Sequence, residues 1–207
     1  MRISDDSLLD RDRELAAAAV ALVQTESGVG RTVLIEGSAG VGKSALLAAI
    51  AEEARGRGFE ILLGRAGQYE GDLPWGVVAD LFGPLIEDLG EVERQALFSG
   101  AASLAAPTFG LTSEGAPTPN SLAASLHGLY WLTVGVADRY GKILLAFDDI
   151  HWADEPSMRW LERVAKRVDE LPVLIVATIR TDDPAAKVAA ERLRMTAPGL
   201  TTRLSRR

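Results

Sequence analysis

The 207-residue chain has no cysteine and only two histidines, His127 and His151. Disulfides and thiol catalysis are therefore excluded, and a histidine-based zinc site is not expected. There is no basic excess either: 29 acidic residues against 22 basic ones leave a net charge of −7. That balance speaks against binding to a phosphate backbone, which needs a basic face. No uninterrupted apolar run is long enough to span a membrane. The start, Met1 to Asp6, lacks the apolar core of a signal peptide and is acidic where such a peptide is basic. These absences lead to the expectation of a cytoplasmic protein, bound neither to membranes nor directly to nucleic acid.

What remains is ordinary globular material, 47% hydrophobic and 25% charged, long enough for one domain with a sizeable core. Its most informative stretch is Gly37-Ser38-Ala39-Gly40-Val41-Gly42-Lys43-Ser44. It fits G-x-x-x-x-G-K-[ST], follows the apolar run Thr32 to Ile35, and opens a helix-like run from Ala45 to Ile50. Each residue type serves phosphate binding. The glycines let successive N–H groups turn inward, and the helix behind them adds the positive end of its dipole. Lys43 brings a mobile charge to the β- and γ-phosphates, and the Ser44 hydroxyl is placed to ligate Mg²⁺. The competing reading, a glycine turn joining strand to helix, explains neither the lysine nor the serine.

Along the rest of the chain, apolar periodicity predicts helices and strands in alternation. A helix over residues 8–25 is followed by strands at 32–36 and 59–64, with a helix between them ending at Arg55 to Gly58. A mostly helical insertion, 74–140, contains helices from Pro74 to about Leu89, Glu91 to Ala105 and Ser121 to Tyr140. A Pro/Gly/Ser/Thr-rich loop over 107–119 interrupts it. Tyr130 and Trp131 read as core. Two strands apolar on both faces, Ile143–Phe147 and Val173–Ala177, belong at the centre of a sheet. Asp154 reads as the N-cap of the helix between them and Asp183-Pro184 as the start of the next, before a short strand from Leu200 to Leu204. The expected fold is α/β, a single domain over 1–207 with a three-layer parallel sheet of about five strands.

Ligands of such sheets bind beyond the carboxyl ends of the strands. Asp148 and Asp149 end the third strand there, and Arg180 the fourth. Asp148 is suited to hold a metal-bound water, Asp149 to position or deprotonate an attacking water, and Arg180 to neutralise charge on the γ-phosphate. The bland alternatives are turn or cap residues for the aspartates and a surface ion pair for the arginine. His151 reads either as a phosphate contact or as a packing residue. A second Asp in place of a longer Glu predicts slow hydrolysis.

At these residues the chain resembles a known family. Leu8 to Leu15, Gly37 to Ser44, and Phe147-Asp148-Asp149-Ile150-His151-Trp152-Ala153-Asp154 look like the ATPase domain of large LuxR-type transcriptional regulators. Leu73 to Val78 and Leu81 to Leu85 are similar to its helix after the second strand, and Thr178-Ile179-Arg180 matches its sensor arginine. That family lies in the STAND branch of AAA-like P-loop ATPases. The resemblance implies an ATP/ADP-controlled switch with Mg²⁺, in signalling or transcription, with self-association or a regulatory protein as partner. It also brings Arg11 near the adenine, although Asp10 stands where the family has Gly. The chain is expected to stop short of the family's helical lid, winged-helix region and helix-turn-helix, which implies weaker nucleotide binding.

Three other functions compete. A small-molecule P-loop kinase fits the phosphate loop, but some thirty residues precede that loop and no arginine-rich lid is visible. A DNA-binding regulator lacks a visible helix-turn-helix. A guanine switch lacks an N-K-x-D segment after the fourth strand, so adenine is the expected base.

Overall fold

A computed structural model describes residues 11–67, 73–111, 121–196 and 199–204. Leu8 to Asp10 of the N-terminal motif and residues 112–119 of the expected loop lie outside the described residues. Helix α1 (Asp12–Glu26) precedes β1 (Arg31–Gly37), α2 (Lys43–Gly56) and β2 (Glu60–Arg65). The insertion follows as α3 (Gly76–Asp88), α4 (Glu91–Leu97), a 3-10 run (Gly100–Phe109) and α5 (Leu122–Tyr140). Then come β3 (Ile143–Asp148), a 3-10 turn (Ile150–Trp152), α6 (Glu155–Ala165), β4 (Val173–Arg180), α7 (Pro184–Thr196) and β5 (Gly199–Leu204).

The five strands form one sheet in the order β2-β3-β4-β1-β5, with every pairing parallel. The expected α/β architecture is therefore present. Alternation along β3 separates the two faces. Ile143, Leu145 and Phe147 join Leu34 and the helices α3, α5, α6 and α7 in one core. Leu144 and Ala146 join Val33, Ile35 and the helices α1 and α2 in the other. A strand covered on both faces needs no polar side, which is why β3 and β4 read as unbroken apolar runs.

Two expectations in the insertion need correction. Helical continuity from Glu91 to Ala105 fails: α4 stops at Leu97, Ser99 is extended, and a 3-10 run takes over that includes Pro107. That run packs on α5 at Gly128, where an added Cβ would stand 2.5 Å from the Ala105 nitrogen. Only glycine allows the two backbones to come so close. The expectation that Trp131 lies in the core with Tyr130 holds for one of them: Tyr130 is buried, but Trp131 is 44% exposed. The two residues are neighbours on a helix and leave it in different directions.

Asp154 caps α6 as expected, accepting the Ser157 N–H at 2.9 Å. It also accepts the N–H groups of Trp75 (2.9 Å) and Val77 (3.4 Å) at the start of α3. One buried carboxylate thus joins the insertion to the segment that follows β3.

Candidate functional site

β1 delivers the chain at Gly37 to the carboxyl edge of the sheet, and α2 begins at Lys43. Gly42 precedes the helix in the left-handed region, with φ of 94°, a conformation that a Cβ would disfavour. Neither a side-chain cap nor an acidic residue compensates the first turn of α2. Its N–H groups and the positive end of its dipole are therefore available to an anion. Val41 anchors the loop in the core, and Arg11 holds it from outside by donating from Nη2 to the Val41 carbonyl at 3.0 Å. Arg11 also pairs with Glu14 at 3.4 Å.

Lys43 is buried and donates from Nζ to the Ser38 carbonyl at 3.0 Å. Burial pulls its pKa below the usual 10.5, the Asp149 carboxylate opposing this and the Arg180 guanidinium reinforcing it. An ammonium that has lost part of its solvation gains from an incoming phosphate. Ser44 Oγ donates to Asp148 Oδ1 at 3.0 Å, across a separation of 104 residues in sequence.

Asp148 receives a second donor on the same oxygen, the Thr178 hydroxyl at 2.7 Å. Thr178 Oγ1 in turn accepts the Asp149 N–H at 2.8 Å. Asp149 sits at φ 53° and ψ 45°, a left-handed conformation uncommon outside glycine, and the Trp152 N–H closes the turn on its carbonyl at 3.0 Å. Gly42, Lys43, Ser44, Asp149 and Arg180 line a single cavity of about 320 Å³. Arg180 is a third exposed and bonds Asp182 at 3.3 and 3.4 Å, which raises its already high basicity.

The structure therefore gathers Lys43, Ser44, Asp148, Asp149 and Arg180 within one locale, with Ser38, Ala39 and Gly40 in the loop and Arg11 behind it. His151 does not join them. Its side chain is fully buried, neither ring nitrogen has a hydrogen-bond partner among the described residues, and Nδ1 lies 3.9 Å from Asp149 Oδ1. It packs on Trp152 at 5.0 Å between ring centroids, and burial pushes its pKa below 6.5. Of its two readings the packing one is observed.

Reading the sequence assigned no role to two buried polar residues, Thr178 in the site and Glu36 just before the loop. Thr178 enters the sequence reading only as part of Thr178-Ile179-Arg180, as a hydroxyl in an otherwise apolar strand with no role of its own. Glu36, just before the loop, is almost completely buried and ion-paired with Arg194 and, at 3.3 Å, with Arg203. Its partners come from α7 and β5, and no local pattern links them.

Among the described residues no group of three or more His, Asp or Glu could cage a metal. A hydroxyl hydrogen-bonded to one carboxylate suits Mg²⁺ bound mainly through phosphate and water, since that ion takes few protein ligands. Ser44 can keep its proton on Asp148 while turning a lone pair toward the ion.

A family model described as AAA ATPase domain matches residues 7–176. Among solved structures, the Aeropyrum pernix ORC1 protein in complex with DNA is similar over 95% of this chain and 45% of its own, with 16% identity and a TM-score of 0.55. A replication initiator DnaA bound to AMPPCP and single-stranded DNA is similar over 95% of this chain and 47% of its own, with 17% identity and a TM-score of 0.51. Drosophila ORC bound to DNA is similar over 98% of this chain and 31% of its own, with 13% identity and a TM-score of 0.50. At these identities the likeness is one of fold, and this chain spans less than half the length of each. No curated protein matches it.

Proposed function

The chain belongs to the AAA ATPase domain family, and from that premise we propose that it binds ATP and ADP with Mg²⁺ and hydrolyses ATP slowly. The observation that carries the proposal is the Ser44–Asp148 hydrogen bond at 3.0 Å, beside a cavity that Lys43, Asp149 and Arg180 share. A structural turn has no use for a lysine, an arginine and a carboxylate converging on an uncapped helix N-terminus.

In this reading the loop from Gly37 to Ser44 and the first turn of α2 wrap the β-phosphate, and Lys43 spans the β- and γ-phosphates. Bound Mg²⁺ would supply neutralising charge to those oxygens. Ser44 and Asp148 would hold that ion, the hydroxyl directly and the carboxylate through a water. Asp149 orients the attacking water and accepts its proton. Arg180 stabilises the charge that develops on the γ-phosphoryl oxygens. Arg11 stiffens the loop through Val41, beyond any contact it makes with the base. A carboxylate one methylene shorter than Glu reaches less far toward the water, which supports slow turnover.

The same reading makes the domain the nucleotide-controlled module of a LuxR- or STAND-type regulator, working with a protein partner or a second copy of itself in the cytoplasm. The sequence resemblance supports this context, and the net charge of −7 supports the absence of direct nucleic-acid binding. Among the described residues no helix is long and apolar enough to cross a membrane.

Calorimetry with ATP, ADP and GTP, with and without Mg²⁺, tests the reading against a Lys43→Ala control. Adenine nucleotides are expected to bind and the variant, still folded, is expected not to. Preferential GTP binding, or equal binding by Lys43→Ala, would overturn it. Phosphoryl transfer to a metabolite would replace hydrolysis with the kinase reading.

A further inference from the structure

We propose that Thr178 is a positioning residue of this site: one buried hydroxyl sets both the metal-side carboxylate of Asp148 and the backbone turn that presents Asp149. The inference rests on the ATPase reading above and deepens it.

Thr178 is completely buried in β4, between the apolar residues Ala177 and Ile179. A buried hydroxyl is costly unless its hydrogen bonds are made, and it offers one proton and two lone pairs. Here the proton goes to Asp148 Oδ1 at 2.7 Å and a lone pair takes the Asp149 N–H at 2.8 Å. The parallel ladder between β3 and β4 ends at Phe147 and Ala177. Thr178 therefore stands where regular pairing stops, and its side chain meets the Asp149 N–H just beyond the last ladder pair.

This side-chain bond, taking the place of a further ladder bond, shapes the backbone. Regular pairing would carry the chain on in extended form and send the Asp149 side chain to the sheet face opposite Asp148. Instead Asp149 turns left-handed at φ 53°, where a Cβ is disfavoured. A residue held in such a conformation is kept there by its surroundings and points to function. The Thr178 bond to its N–H and the Trp152 bond to its carbonyl grip both sides of the turn. The carboxylate is thereby aimed into the cavity it shares with Lys43, Ser44 and Arg180.

The proton side of the same hydroxyl acts on the metal. Asp148 Oδ1 is shared by Thr178 and Ser44. Removing the Thr178 donor frees the carboxylate to rotate about its χ angles and leaves Ser44 alone to orient it. Partners of this kind tune metal affinity and activity by about 10- to 100-fold. A purely structural role would require only the shape of the side chain, which valine reproduces.

The test compares Thr178→Val, which keeps shape and loses the hydroxyl, with Thr178→Ser, which keeps the hydroxyl. Three readouts apply to the wild type and both variants. In the nucleotide-free protein, amide exchange at Asp149 should be about tenfold faster in Thr178→Val and near wild type in Thr178→Ser. In calorimetry, ATP affinity without Mg²⁺ should be unchanged in both, while the gain on adding Mg²⁺ should fall about tenfold in Thr178→Val alone. Turnover should fall about 10- to 100-fold in Thr178→Val, with KM within about threefold, and recover in Thr178→Ser.

If Thr178→Val matches wild type in Mg²⁺ response and turnover, the proposal is overturned. Equal loss in both variants overturns it as well, because packing would then be the cause. Should Thr178→Val fail to fold, Thr178→Ala takes its place with the same expectations. A wild-type chain that binds no nucleotide would overturn the ATPase reading itself. That result differs from a chain that binds ATP normally yet ignores the loss of this hydroxyl.

Discussion

Replacing Asp154 by alanine should cost about 3 kcal/mol, far more than an exposed N-cap. The carboxylate is 3% exposed and accepts three backbone N–H groups: Ser157 at 2.9 Å, Trp75 at 2.9 Å and Val77 at 3.4 Å. Loss of the α6 cap contributes about 1 kcal/mol. Trp75 and Val77 sit at the start of α3, whose N-cap position, Trp75, is left-handed and makes no side-chain cap. Each N–H left without a partner adds about 1 kcal/mol, taking the low end because one is only partly buried and the other bond is long. Asparagine keeps one acceptor oxygen, enough for Ser157 and Trp75, so Asp154→Asn should lose about 1 kcal/mol. Urea unfolding followed by tryptophan fluorescence measures both. In a domain of this size the alanine variant should also melt about 10 °C lower. A loss below about 1 kcal/mol for Asp154→Ala would refute the reasoning, since it would mean that the three bonds are not held together by one carboxylate.

Asp149→Asn should bind ATP within about threefold of wild type and lose about 100-fold in turnover, because an amide cannot accept the proton of the attacking water; equal turnover in a phosphate-release assay would remove Asp149 from that role. Ser44→Ala should leave Mg²⁺-free ATP affinity unchanged and abolish most of the gain on adding Mg²⁺, about tenfold or more by calorimetry; an undiminished gain would place the ion elsewhere. His151 bears on pH dependence. Burial lowers its pKa from 6.5, Asp149 and Asp183 partly oppose this, and Arg180 and Lys43 reinforce it. The unfolded chain therefore takes up a proton near pH 6.5 before the native ring does, so this residue makes stability fall as pH drops below that value. His151→Phe should show a shallower decline in urea midpoint between about pH 6.5 and 5.5, and an unchanged slope would mean the buried ring contributes nothing.

The sequence carried further for the fold than for the site. Apolar runs at β3 and β4 and helical stripes elsewhere record local periodicity, which a chain expresses before it has tertiary neighbours. The break at Ser99 and the 3-10 run were harder to see, because an alanine-rich segment satisfies a helical pattern whether or not Gly128 draws it onto α5. The exposure of Trp131 is hidden from the sequence for a similar reason: its helix neighbours are buried, and only the packing of α5 decides which edge of the stripe meets solvent.

Sequence alone determined the phosphate loop, the aspartates ending β3 and the arginine ending β4, because each is a short pattern whose chemistry depends on nearby residues. The parallel sheet followed from their order along the chain. Tertiary structure alone decided how these pieces act together. The Ser44–Asp148 bond spans 104 residues, and Thr178 reaches Asp148 and Asp149 across about 30. Asp154 serves a helix nearly 80 positions earlier as well as its own. A hydroxyl or carboxylate in a sequence announces that it needs partners, but the strand order β2-β3-β4-β1-β5 chooses which ones it meets.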